Sequence, residues 1–206
     1  MRTLSKVLAV SALSALLIGI ALPISQATPR YTFPIQGCTY TYGRYHHNYP
    51  ATDILTHVGC LFVAPTAGVV DEVNRIDRFT WKTDKGADRG GLSLSIIGDD
   101  GVRYYGSHLS YISPKMVPGY RVAVGEVMAR VGVSGDARGT APHLHFGISW
   151  STPQGIWWVR RGELYPWKYL DAWKVGKDLS PAGPAARYRW WRKGEIAPGP
   201  GRDDLT

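Results

Sequence analysis

Two of the chain's six histidines, His143 and His145, flank a single leucine in the stretch GTAPHLHFGIS. In a β-strand, residues i and i+2 point to one face, so both imidazoles look into one space while Leu144 anchors the strand in a core. Further candidates stand earlier. YHHNYPATDI holds His46, His47 and Asp53, and GSHLS holds His108. A hydrolytic zinc site takes three nitrogen or oxygen ligands from the protein and keeps one position for water. One of His46 and His47, with Asp53 and one histidine of the 143/145 pair, supplies that set. His108 and the other strand histidine then remain to handle protons and charge. His57, in LTHVG, has no place in this arrangement and reads as a surface residue or one behind the site.

The elements that must hold these side chains are strands. Helical periodicity is scarce, and glycine and proline punctuate the chain at short intervals, as in all-β domains. LFVAPTAGVVDEVNRI predicts strand, turn, strand. GLSLSIIGDDGVRYYGSHLS predicts a hairpin turned at Asp99-Asp100-Gly101, with Val102, Tyr104, Gly106 and His108 on one face of its second strand. YRVAVGEVMARVG predicts two short strands joined through Gly125, and HLHFGISW one more. From Trp150 onward the composition shifts. Seven of the eight tryptophans lie there, mixed with Arg160, Arg161, Arg187, Arg189, Arg192 and Lys193. LYPWKYLDAWKVG predicts a short helix with Leu170 and Trp173 on its packing side, and residues 194–206 a disordered tail.

MRTLSK is a basic start, VLAVSALSALLIGIALPI a long apolar run, and SQA a set of small residues at a cleavage position. Residues 1–27 therefore read as a signal peptide for export, leaving about 180 residues, enough for one domain with a core. The formal charge of +8 falls to +6 when Arg2 and Lys6 leave with that segment. A basic exported protein points to anionic wall polymer or lipid headgroups. No nucleic-acid-binding signature is present. The two cysteines, Cys38 and Cys60, predict a disulfide that brackets the loop carrying His46, His47 and Asp53.

The order H…D, then GSHLS, then PHLHFGI resembles the zinc metallopeptidases of the lysostaphin type, peptidase family M23. VAPTAGVV and VAVGEVMARVGVSGDARGTAPHLHF match that family's core pattern too, and the resemblance covers roughly residues 40–150. It implies a compact antiparallel β-sheet or barrel-sandwich domain with a substrate groove. It also implies one zinc held by His47, Asp53 and His145, with His108 and His143 as catalytic histidines. The implied substrate is the peptide part of peptidoglycan, cut outside the cytoplasm by a monomer. One departure matters: the commonest family spacing from histidine to aspartate is shorter, whereas here five residues intervene from His47 or six from His46. A longer loop must therefore bring the histidine back to the metal. Beyond the domain of residues 28–150, the segment 151–193 is expected either to hold anionic wall polymer or to pack over the β core. In the first case its aromatic faces meet sugars and its arginine heads meet phosphate or carboxylate. The competing readings are a non-catalytic wall-binding or regulatory protein on the same fold, and a carbohydrate-binding module. Metal content separates the first of these from an enzyme.

Overall fold

The computed structural model describes residues 30–153 and 155–192. The leader at 1–27 and the tail at 194–206 lie outside the described residues. Eleven strands run in chain order: β1 (Ile35–Gln36), β2 (Thr41–Tyr42), β3 (Thr52–Leu55), β4 (Leu61–Val63), β5 (Gly68–Asn74), β6 (Ser93–Gly98), β7 (Val102–Ser107), β8 (Leu109–Ile112), β9 (Arg121–Val122), β10 (Val127–Val131) and β11 (His143–Trp150). Three helices follow, α1 (Trp157–Arg160), α2 (Trp167–Trp173) and α3 (Ala182–Trp191). The strands form a four-stranded sheet, β1-β4-β10-β8, and a seven-stranded sheet, β2-β3-β11-β7-β6-β5-β9. Every pairing is antiparallel. The fold is all-β with a short helical extension. The strands joined through Gly125 do not pair with each other: β9 lies beside β5, and β10 beside β4 and β8, so the chain crosses between sheets there.

The core forms where apolar faces of the two sheets meet. Phe62, Met128 and Ala129 come from the smaller sheet, and Ile54, Leu94, Ile96, Tyr104, Leu144, Phe146 and Ile148 from the larger. β11 sits between β3 and β7, with Leu144 opposite Ile54 and His145 opposite both Asp53 and Ser107. Alternation along this strand sends Leu144, Phe146 and Ile148 into the core and His143, His145 and Gly147 to the other face. Leu144 is fully buried, so Leu144→Asp puts a carboxylate among apolar neighbours with no partner. The expected result is a melting temperature far below wild type, beyond the cost of Leu144→Ala, which is about 2–5 kcal/mol at a core site.

The C-terminal segment packs on this body. α2 buries Tyr169, Leu170 and Trp173, and the Trp173 ring stacks on Tyr31 with centroids 5.3 Å apart. Trp150 is also buried, Trp157, Trp158 and Trp167 are half-buried, and Trp190 and Trp191 at the end of α3 are exposed. Cys38 and Cys60 are joined in a disulfide that closes a loop across 22 residues. A loop of that size corresponds to about 3 kcal/mol in the chain-entropy model. Replacing both cysteines by serine is expected to lower stability to urea by about that amount. No helix among the described residues is long and apolar enough to cross a membrane.

Candidate metal and catalytic site

The register of β11 against β3 sets His145 beside Asp53. His145 Nδ1 lies 2.9 Å from Asp53 Oδ1, and His46 Nε2 lies 3.7 Å from Asp53 Oδ2. His46, Asp53 and His145 offer ligand atoms that all fall within 4.8 Å of one another. The resemblance implied His47 as the first ligand; the geometry groups His46 instead. Neighbouring residues on a loop project to different sides, and here His46 is the one turned inward. Its ring lies 4.9 Å from that of His145 and 4.4 Å from that of Tyr49. His47 is exposed at the cleft's edge, with its ring 5.2 Å from His46.

The group fits a divalent metal by its chemistry. His145 Nε2 lies 3.0 Å from the carbonyl oxygen of Arg161. A carbonyl only accepts, so Nε2 carries the proton and Nδ1 presents its lone pair to the Asp53 carboxylate. Two acceptors at 2.9 Å require a cation between them, whether proton or metal. His46 Nδ1 is buried with no hydrogen-bond partner, the kind of orphan a native site explains by something bound nearby. Burial holds the His46 imidazole neutral, pulling its pKa down to about 4, with the His145 charge acting the same way. Burial would raise the Asp53 carboxyl, but its close contact with the His145 imidazole, with His46 beside it, prevails and holds it well below the usual carboxylate range. Two imidazoles and one carboxylate are a donor set that zinc takes, the metal replacing a proton between His145 Nδ1 and Asp53.

The other two histidines lie beside this group. Regular alternation along β7 would keep His108 on the face it was expected to share with Tyr104 and Gly106, which the structure turns to the core. It does not. His108 is the joint between β7 and β8 and has a φ of +63°, a left-handed conformation that costs energy for a residue with a side chain. The twist lets Leu109 resume the core face while His108 lines the cleft, its ring 4.8 Å from that of His143. His108 Nδ1 donates to the Ser134 carbonyl at 2.9 Å. His143 Nδ1 donates to the Ala141 carbonyl at the same distance, 2.9 Å. Each ring therefore carries a proton on Nδ1 and, in its neutral form, has its acceptor at Nε2. Burial first, and the neighbouring His145 and His143 next, pull His108 down to about 3, so it is a neutral base at working pH. Asp136, 3.8 Å from His108 Nδ1, has its carboxyl raised by its own burial.

No family model and no curated protein matches the chain. Solved structures do. The catalytic domain of the antimicrobial peptidase lysostaphin from Staphylococcus simulans is 23% identical over 66% of this chain and 92% of its own, with a TM-score of 0.48. A catalytic-domain variant of the prophage-encoded M23 protein EnpA from Enterococcus faecalis is 25% identical, over 62% of this chain and 90% of its own, at a TM-score of 0.43. A zinc-containing peptidase from Vibrio cholerae is 23% identical over 58% of this chain, which spans only 36% of that longer one, at a TM-score of 0.42. The chain resembles M23 peptidases.

Around these residues lies a cleft of about 300 Å³, walled in part by Tyr49, Tyr105, Trp157, Arg160 and Arg161. Sequence reasoning missed these walls. The sequence leaves Arg160 and Arg161 either to wall polymer or to packing over the β core, and does not bring them to the cleft; Arg160 pairs with Glu72 and lies over the Tyr105 ring at 5.4 Å. The glycine of HLHFGIS shows why Arg161 comes so near. A Cβ on Gly147 would sit 2.1 Å from the Arg161 carbonyl oxygen, the atom that fixes the tautomer of His145. Only glycine leaves room for it.

Proposed function

We propose that the chain is a secreted, zinc-dependent endopeptidase that hydrolyses peptide bonds in the crosslinks or stems of bacterial peptidoglycan. One observation carries this reading: a group of two histidines and a carboxylate shares a cleft with two further histidines, each tied through Nδ1 to a backbone carbonyl. A binding module has no use for that second pair, whereas hydrolysis needs groups that move protons beside the reacting carbonyl. His46, Asp53 and His145 would hold the metal. When bound, zinc supplies Lewis acidity and a water acidified toward neutrality. As water adds to the scissile carbonyl, Nε2 of one histidine of the His108–His143 pair accepts its proton and passes it to the leaving amine. The Nε2–H formed by that transfer can also donate to the developing oxyanion before the proton leaves with the amine, while the partner ring lines the same space. The basic, open cleft suits an extended anionic peptide, and the exposed Tyr188, Trp190 and Trp191 beside Arg187 and Arg189 suit anionic wall polymer. The basic-apolar leader of residues 1–27 supports delivery outside the cytoplasm.

Digestion of purified peptidoglycan, followed by mass spectrometry of the soluble fragments, tests the proposal. Peptide-cleaved fragments are expected, and a chelator should abolish them. Wall binding with no fragments released would favour the non-catalytic reading instead.

A further inference from the structure

Six residues separate His46 from Asp53, and this stretch joins a strand only at Thr52. Tyr45, His47 and Asn48 around it are exposed. A ligand on such a loop needs an external contact to hold it, because an unrestrained loop must be ordered each time the metal binds. That contact comes from the turn that ends α1. The Arg161 guanidinium lies over the Tyr49 ring at 3.7 Å, and the Tyr49 ring in turn packs on His46. Gly162 meets the loop's backbone: a Cβ there would sit 2.2 Å from the Pro50 carbonyl oxygen, and its φ of +146° disfavours any side chain. On its other flank the same turn meets β11, through the Arg161 carbonyl on His145 Nε2 and the missing side chain of Gly147. The turn thus sits tightly between the two elements that bring histidines to the group.

We propose that the Arg161–Gly162 turn is a positioning wedge that fixes the His46 loop against the His145 strand, which makes the segment after β11 part of the metal site. The inference rests on the metal reading above. Arg161 is a positioning residue in this account, because it acts through Tyr49 and His145.

The test measures zinc affinity of the full mature chain by competition with a chromogenic chelator, with the melting temperature of the metal-free form alongside. Arg161→Ala is expected to bind zinc about 10- to 100-fold more weakly, the usual range for losing a group that orients a ligand. Arg161→Lys keeps a cation over Tyr49 and is expected to recover most of that loss. Tyr49→Leu removes the stack from the other side and should repeat the Arg161→Ala result, so the outcome does not hang on one variant folding. Wild-type affinity in both Arg161→Ala and Tyr49→Leu would overturn the proposal. So would a lowered metal-free melting temperature with unchanged affinity in the folded fraction, which marks a purely structural contact. An unmodified chain that takes up no zinc would overturn the metal reading and the wedge together; binding by wild type that His145→Ala abolishes upholds the former independently.

Discussion

His46→Ala is expected to purify without zinc and without activity, whereas His47→Ala is expected to keep both. The two residues are adjacent and of one type, so composition and local charge cannot separate them; orientation can. His46 turns toward Asp53 and His145, with its ring within 5 Å of His145's, and burial keeps it neutral and able to coordinate. His47 is exposed. If His46, Asp53 and His145 hold the metal as proposed, removing one of the three should cost more than the roughly 10- to 100-fold seen when a supporting group is lost. His145→Ala should behave as His46→Ala does. Plasma emission on the dialysed proteins reads the metal directly, and turnover on a crosslinked muropeptide reads the consequence. Zinc retained by His46→Ala and lost by His47→Ala would mean that the loop presents the other ring.

Much of this was legible before any coordinates, for a physical reason. The two-residue period of a strand put His143 and His145 on one face and Leu144 on the other, and β11 keeps that period throughout. The hairpin turn at Asp99-Asp100-Gly101 and the packing side of α2 were equally local, set by turn chemistry and a short apolar spacing. What could not be read was set by contacts distant in sequence. The choice of His46 over His47 depends on which way a loop lies against Tyr49 and β11. The position of His108 depends on a left-handed residue that breaks strand alternation, and a non-glycine residue gives no sign of adopting one. Arg161 is another such contact: its carbonyl meets a histidine 16 positions earlier, and its guanidinium lies over the ring of Tyr49. Its sequence context, a run of tryptophan and arginine, suits wall binding or packing over the core equally and carries no sign of a contact to one histidine.

On the proposed reading His145 holds the metal and His143 moves the proton, and His143→Ala tests that separation. This variant should keep its zinc, because His143 stands outside the group formed by His46, Asp53 and His145. It should also keep its fold, because the ring is half-buried and its hydrogen bond runs to the Ala141 carbonyl just two residues away. Turnover should nevertheless fall by about 10²- to 10⁴-fold, the usual contribution of a positioned acid–base group, or about 3–5 kcal/mol of barrier at 1.36 kcal/mol per decade. His108→Ala should lose activity on the same scale. It removes a buried ring held by Ser134, so its melting temperature must be checked beside its zinc. If the two rings share one proton path, the double variant should be little worse than either single one, since residues that act as a unit are strongly non-additive. Multiplying losses would instead mean that each ring serves a separate step. Loss of zinc from His143→Ala would move that residue into the metal group and reverse the division of labour between the two histidines of β11.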